Sequence, residues 1–562
     1  MINWLKRVYV EILLVLAGLT FSNTYINPSP ALTIRSDGKG YYDYLPAVFI
    51  HHDLNFGFRS EQNTNHNVDC NGHVINKYPC GLALLWTPFF AVSHIYYKIN
   101  HNHGMQGGYG KAYHFMIGLA ALVYLFIGLI YLRKLLLHYT NNHSLVRLTQ
   151  VFLLLGTNLY LFAFFDPSFG HVYSFCLITV FFYAWVQLSK TGKKKYVYLL
   201  AVLCALIILV RPFNALVVLF LPFFSGGINR FINDVKNMFA VQGRHFYLAV
   251  LGFLAIILIQ PVIWYIQCGQ FLPWTYSHET FHFAQPELVK TLFGFRKGLF
   301  IYTPLLLLSL FAFGYLFRNK KTSAFTLLAA MLVLHYFISS WQTWWYGGSF
   351  GLRPYIDFYA VFAVMGALAF THVKLAGKGL AFCFAGFCMF LNIFQSWQYT
   401  HGIISEESMT WEGYKEVFLK TDEKYSGFLR YRNFASEMEK RNVEYTIPFV
   451  KKDTILTPGQ WRSVVTETIA YKPGGLYCFV IDMQVKESIN TEMYLQYEKD
   501  NSAMEYQQAK FFHLTAGETG RKHVHYYFEV PEKEFENGKF RVGFLKLDEA
   551  VQIHSAVLQE LE

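Results

Sequence analysis

From residue 8 to residue 397 the chain alternates between apolar runs and short polar stretches. The runs cover 8–21, 112–132, 146–165, 172–188, 197–210, 213–224, 246–266, 299–317, 324–341, 356–370 and 380–397. About 20 consecutive apolar residues let a helix cross a bilayer. The pattern therefore predicts a multispanning α-helical membrane protein of eleven spans. The runs at 197–210 and 213–224 are short halves separated by Arg211-Pro212. Proline breaks a helix there, and arginine is costly in mid-membrane. A further apolar segment, 80–99, is bent by Pro79 and Pro88 and is expected to dip into the membrane or lie along it. Glu11 is the one charge of the first run and is expected to snorkel to the inner surface.

Past residue 406 the apolar runs shorten and alternate with polar residues. Stretches of period two at 477–485, 493–497, 523–530, 539–545 and 551–558 read as strands between Gly, Pro and Asn turns. They point to a β-sandwich of jelly-roll type. The expected organisation is a polytopic membrane domain at 1–400, a helical connector at 401–440 and an extracytoplasmic β-sandwich at 441–562.

Composition agrees with a membrane chain. Only 15% of residues are charged and 54% are hydrophobic, where soluble domains carry about 25% charged residues. The net charge of +11 is not a nucleic-acid signature, because Lys and Arg fall in short clusters between the apolar runs. If 80–99 does not cross, Arg133-Lys134, Lys190 to Lys195, Arg230, Lys236, Arg244, Arg318 to Lys321, Lys374 and Lys378 all lie inside, as the positive-inside rule requires. The expected location is a plasma or bacterial inner membrane, with the carboxyl end outside. The first run lacks a small-residue cleavage site and reads as an uncleaved anchor. Four of the eight cysteines, Cys176, Cys204, Cys383 and Cys388, sit in apolar runs as small fillers. Cys70 and Cys80 share an outer loop and could pair in an oxidising compartment.

This topology collects the chemically unusual residues on the outer side. Asp37 and Asp43 lie just after the first run, with Gly38 and Gly40 giving a shaped loop and Tyr41, Tyr42 and Tyr44 adding rings. His171, Arg211, Glu279, Lys297, Trp344, Trp345 and Arg353 lie in other outer segments. Carboxylate, guanidinium and aromatic groups together suit a phospholipid-linked sugar. Asp37 could take the proton of an attacking hydroxyl. Arg211, Lys297 and Arg353 could stabilise a leaving phosphate. Tyr41, Tyr42, Asp43, His171, Glu279, Trp344 and Trp345 complete the candidate substrate site. His51-His52-Asp53, His66, Asp69 and His73 match no zinc spacing and read as solvated loop residues. No cofactor is called for; a divalent cation could be accommodated, but no pattern supports one.

Several ordered motifs carry a resemblance. They are Ser36-Asp37-Gly38 with Tyr41-Tyr42; Tyr78-Pro79 with Leu85-Trp86-Thr87-Pro88-Phe89-Phe90; Arg211-Pro212-Phe213-Asn214; Lys297-Gly298-Leu299-Phe300 with Pro304; and Trp344 with Gly347-Gly348-Ser349-Phe350-Gly351-Leu352-Arg353. In this order, over residues 1–400, the chain resembles the GT-C superfamily of polytopic glycosyltransferases, the class of the protein O-mannosyltransferases and the aminoarabinose–lipid A transferases. The resemblance implies a GT-C-like membrane fold, a polyprenyl-phosphate-sugar donor, inverting transfer to an extracytoplasmic acceptor hydroxyl on a glycan, lipid or protein, and a catalytic first-loop Asp at the position of Asp37. Gly38 stands where the protein mannosyltransferases have a Glu beside that Asp, a departure that counts against a protein acceptor and against metal dependence.

Two other classes compete. A lipid-linked glycan transporter or flippase places polar groups near the midplane, often on paired broken helices; here the polar set is on one side. A membrane-anchored glycan-binding protein would need neither Arg211 nor eleven spans.

Overall fold

The computed structural model describes residues 2–26, 33–59, 66–276, 279–372, 375–407, 409–450, 454–456, 459–468, 475–485, 492–499, 502–515, 519–529, 539–547 and 551–562. The chain divides into two compact units, Met1–Trp397 and Gln398–Glu562.

The first unit is helical. Its principal elements are α1 (Ile2–Phe21), α2 (Asp37–Tyr42), α3 (Gly81–Ile99), α4 (Lys111–Leu136), α5 (His171–Thr191), α6 (Lys195–Val210), α7 (Ile228–Ile257), α8 (Ile259–Cys268), α9 (Lys321–Ser339), α10 (Tyr359–His372) and α11 (Leu375–Thr400). Among the described residues seven helices are long and apolar enough to cross a membrane, or eight if Pro212–Ser225 and Ile228–Phe239, bent by 107°, form one span. By length and composition these helices alone do not reach the expected eleven spans. Three of the expected runs give shorter helices, His143–Leu155, Lys195–Val210 and Pro304–Asn319. Gly156, Arg211-Pro212 and Thr303-Pro304 interrupt them, and each interruption breaks the i→i−4 ladder. The 19-residue α3 is not among the spanning helices.

Small residues set the closest approaches. A Cβ on Gly81 would stand 2.3 Å from the backbone carbonyl carbon of Leu209, so α3 meets the end of α6 backbone to backbone. Large rings fill the interior behind α2. Tyr42, Trp86, Tyr113 and Tyr173 are fully buried, and the Trp86 ring meets the Tyr42 and Tyr173 rings at 6.3 and 5.7 Å. Such pairs add about 0.5–1.5 kcal/mol each beyond their area.

Two local expectations change here. Gly38 and Gly40 lie in helical conformation within α2, not in a left-handed loop. They are needed for space, since a Cβ on Gly38 would meet Ser168 Oγ at 2.0 Å and one on Gly40 would meet the Tyr78 ring at 2.4 Å. The residue with positive φ is Ser36, at 47°. Glu11 does not snorkel: it is fully buried and accepts from Arg133 Nε at 2.5 Å and Gln150 Nε2 at 3.3 Å. An isolated buried charge is too costly, so the acid faces its cation instead of the lipid.

The segment after α2 contains a hairpin, β1 (Asn67–Cys70) and β2 (His73–Asn76), paired antiparallel. Cys70 is bonded to Cys268 at the end of α8, a separation of 198 residues. Cys70 therefore does not pair with Cys80. Cys80 is a buried free thiol whose backbone N–H donates to Gln260 Oε1 at 2.6 Å.

The second unit carries short helices, Trp411–Val417 and Phe428–Met438, before its strands. The strands form two antiparallel sheets. One has the order β5 (Gly459–Thr468), β10 (Lys539–Leu547), β7 (Glu492–Lys499), β8 (Ser502–Lys510). The other runs β3 (Val443–Val450), β11 (Val551–Leu561), β6 (Leu476–Val485), β9 (Gly520–Glu529), with β4 (Thr454–Leu456) also on β11. This is not a closed sandwich. Within the second sheet β6 is central, and Cys478, Phe479, Ile481 and Met483 are fully buried. The alternation expected over 477–485 is thus weak here: a strand covered on both faces has no polar side to alternate.

Candidate functional site

A cavity of about 880 Å³ opens in the first unit among α2, the 77–79 segment, the breaks after residues 169 and 210, α8, the 272–281 loop and the 341–353 loop. Its lining includes the apolar residues Leu209, Phe213, Leu216, Ile257 and Trp264. It also includes Asp37, Tyr41, His171, Arg211, Glu279 and Arg353. These six candidate residues, from distant parts of the chain, are brought together.

All but Tyr41, which lies within α2, stand at a break in regular structure. Asp37 begins α2, and its Oδ2 lies 2.8 Å from Arg353 Nη1. The Tyr78 hydroxyl also hydrogen-bonds Asp37. Burial raises the Asp37 pKa, but Arg353 and Tyr78 outweigh it, and the carboxyl is held below its usual range. Asp37 is therefore ionised at neutral pH. Arg353 Nε is buried without a hydrogen-bond partner, so the guanidinium keeps a donor in hand. The loop that brings Arg353 to the cavity turns through Gly347 and Gly351 at φ 68° and 63°. Asn158 pins that loop, donating to the Phe350 carbonyl at 3.0 Å and accepting from the Tyr359 hydroxyl at 2.6 Å.

Arg211 stands in extended conformation, φ −151° and ψ 109°, between α6 and the 3₁₀ turn Pro212–Phe220. Its Nη1 lies 2.9 Å from Asp357 Oδ2 and 2.9 Å from His171 Nδ1. His171 Nδ1 is 2.8 Å from Asp357 Oδ1, and Asn214 Nδ2 donates to Asp357 Oδ2 at 2.9 Å. Asp357 is fully buried and holds the whole set. It was not among the residues singled out; an acid at the start of an apolar run was the available signal. Lys77, Tyr276 and Gln260, also on the wall, were missed for lack of any local pattern. Lys77 Nζ pairs with Glu279 Oε1 at 2.7 Å and lies 5.0 Å from the Tyr276 ring centre. Burial pushes the Tyr276 phenol up to about 12, so it stays a donor.

Five other candidates lie elsewhere. Tyr42 and Asp43 turn to the far side of α2, since residues 100° apart per step cannot all share the face of Asp37 and Tyr41. The Tyr42 hydroxyl donates to the Gly108 carbonyl at 2.6 Å. Asp43 is buried against Arg59 Nε at 2.6 Å and accepts from Tyr109. Burial pushes the Asp43 carboxyl up, against the pull of Arg59. Lys297 is buried and donates to the Ser349 carbonyl and, at 3.2 Å, to Ser349 Oγ; it props the glycine loop from behind. Trp344 is buried outside the cavity lining, and Trp345 lies 3.4 Å beneath the Arg296 guanidinium. Asp166, from the same loop as His171, pairs with Arg35 at 2.6 Å. Among the described residues no group of three or more His, Cys, Asp or Glu side chains could hold a metal.

No family model matches the chain, and no curated protein matches it. Among solved structures it is similar to the arabinosyltransferase EmbB of Mycobacterium smegmatis, with a TM-score of 0.41 and 10% identity over 99% of this chain and 64% of that one. It is also similar to the oligosaccharyltransferase of Archaeoglobus fulgidus in its apo form, at 0.41 and 12% identity, over 74% of this chain and 60% of that one. The same archaeal enzyme, AglB, in complex with an inhibitory peptide and a dolichol-phosphate, gives 0.38 and 11%, over 76% and 58%. The chain spans less than two thirds of the length of each of these neighbours.

Proposed function

We propose that the cavity binds a polyprenyl-phosphate sugar and transfers the sugar, with inversion, to an extracytoplasmic acceptor hydroxyl. The observation that carries this reading is the Asp37–Arg353 pair at 2.8 Å on the wall of an 880 Å³ cavity, with Arg353 Nε unpartnered. A lipid phosphate is amphipathic, and so is the cavity. The apolar lining residues suit the prenyl chain, while Arg353 and Arg211 suit the phosphate through charge-assisted bonds. In the reaction the anomeric carbon loses its bond to the phosphate oxygen and gains one to the acceptor oxygen. The acceptor proton goes to Asp37, and the leaving phosphate stays on the two guanidinium groups. Phosphate binding draws Arg353 away from Asp37, which frees the carboxylate for the acceptor. The site and the second unit are assigned to the outside by the charge clusters, with residues 401–440 joining the membrane domain to the strands.

The test is turnover and donor affinity in purified, reconstituted protein. Arg211→Ala should weaken donor binding and turnover together, and Arg211→Lys should restore only part because the fork is lost. Unchanged values in Arg211→Ala would remove Arg211 from the donor site. Mass spectrometry of envelope glycans and lipids from a deletion strain would name the acceptor.

A further inference from the structure

A second, smaller cavity of about 150 Å³ lies far from Asp37. Three helices run from one cavity to the other. His171 of α5 lines the first and Lys190 the second; on α9 the residues are Phe337 and Ser323. The segment Arg353–His372 likewise passes from Arg353 to Leu368. At 1.5 Å per helical residue the separation is about 20 to 28 Å. That is close to the hydrocarbon thickness of about 30 Å, so the second cavity sits at headgroup depth in the opposite leaflet.

Its walls are of one charge. Lys190, Arg230 and Lys320 line it, and among the described residues no carboxylate does. Asp234, outside the lining, accepts from the lining Ser189 Oγ at 2.7 Å. Lys190 Nζ also meets His138 Nδ1 at 2.8 Å, which holds the ammonium without neutralising it. Ser323 is 2% exposed, lines the cavity, and its Oγ has no hydrogen-bond partner. A buried hydroxyl without a partner costs about 1–3 kcal/mol, so its place beside three cations points to a ligand that accepts from it. Phe223, Phe224 and Leu368 supply an apolar floor.

We propose that this cavity binds one phosphate group, carried by the headgroup of an anionic lipid in the leaflet opposite Asp37 or arriving as a free ion. Ser323 Oγ donates to it, and Lys190, Arg230 and Lys320 neutralise it. Nothing in this depends on the sugar-transfer reading, and its test reads binding, not activity.

The full chain in detergent is offered phosphatidylglycerol and phosphatidylcholine of identical acyl chains, and retained lipid is measured by native mass spectrometry. In parallel its melting is followed with inorganic phosphate. Phosphatidylglycerol should be retained over phosphatidylcholine. Replacing Lys190, Arg230 and Lys320 by Gln should weaken retention roughly five-fold per cation, from about 1 kcal/mol each near an anionic surface. Ser323→Leu keeps every charge but fills the cavity, and should abolish the preference. Stabilisation by inorganic phosphate without lipid preference, lost in Ser323→Leu, would support the site and assign its ligand to a soluble ion. If Ser323→Leu melts normally and still prefers phosphatidylglycerol, the effect is general surface charge and the proposal fails. If Ser323→Leu does not fold, the Gln variants decide: undiminished retention in the triple Gln protein overturns the proposal, as does the absence of both responses in the unmodified chain.

Discussion

Asp37→Asn separates chemistry from structure because the two losses have different sizes. The substitution keeps the side-chain shape, and Asn Oδ1 still accepts from Arg353. It exchanges a charge-assisted bond for a neutral one, a difference of about 1 kcal/mol. Both partners are partly open to solvent, 23% for Asp37 and 12% for Arg353, which reduces it further. Against a typical stability of about 5–15 kcal/mol the protein stays folded. Losing a general base costs about 10²- to 10⁴-fold in rate, or about 2.7–5.4 kcal/mol at 1.36 kcal/mol per decade. Asp43→Asn has the opposite profile. Arg59 and Asp43 are 2% and 1% exposed, and breaking a buried pair costs about 3–5 kcal/mol. The assay measures donor affinity, single turnover and melting on each variant in lipid. Asp37→Asn should melt near the parent, bind donor and fail to turn over; Asp43→Asn should melt early but turn over normally per folded molecule. Normal turnover in Asp37→Asn, or a stable but inactive Asp43→Asn, would refute the assignment of the base.

Three further outcomes follow from the structure. Because the folded-state Asp37 pKa is depressed, the group is charged above that value and loses its charge only as pH falls through it. The acid limb of kcat/KM, which reports the free enzyme, should lie below the ordinary aspartate value of about 3.9 and move upward in Arg353→Gln. Lys297→Met should lower stability by about 1–3 kcal/mol through the unsatisfied Ser349 carbonyl, with a donor affinity far less affected than in Arg353→Gln; equal loss of affinity would return Lys297 to the phosphate site. In denatured but unreduced protein, maleimide should leave Cys70 and Cys268 unlabelled while it reaches Cys80, and labelling of Cys70 without reductant would contradict the pairing.

The residues that meet at the cavity were legible because each sits at an interruption. Asp37 follows the first apolar run, Arg211 precedes a proline, and Arg353 follows a glycine cluster. Polar groups at such breaks have few apolar reasons to be there. What sequence reading could not supply was direction. Tyr42 and Asp43 seemed equal to Asp37 and Tyr41 while 37–42 read as a loop; once it is a helix, one step of 100° decides which pair faces the ligand. Lys297 is as cationic as Arg353, and only the Ser349 carbonyl behind the loop shows which way it turns. The sandwich expectation rested on alternation, which identifies strands but not which sheet each joins. Cys268, a partner 198 residues from Cys70, leaves no local trace.

That cystine also imposes a rule of parity. A bond between Cys70 and Cys268 forms only if both sulphurs lie on one side of the bilayer, so the intervening chain crosses an even number of times. Topologies with an odd number of crossings in that interval are excluded, however well their charges distribute. If the six apolar runs between 112 and 266 all cross, a seventh passage by α3 would put the two thiols on opposite sides. One covalent bond therefore ties the orientation of α3 to that of every helix after it up to residue 268.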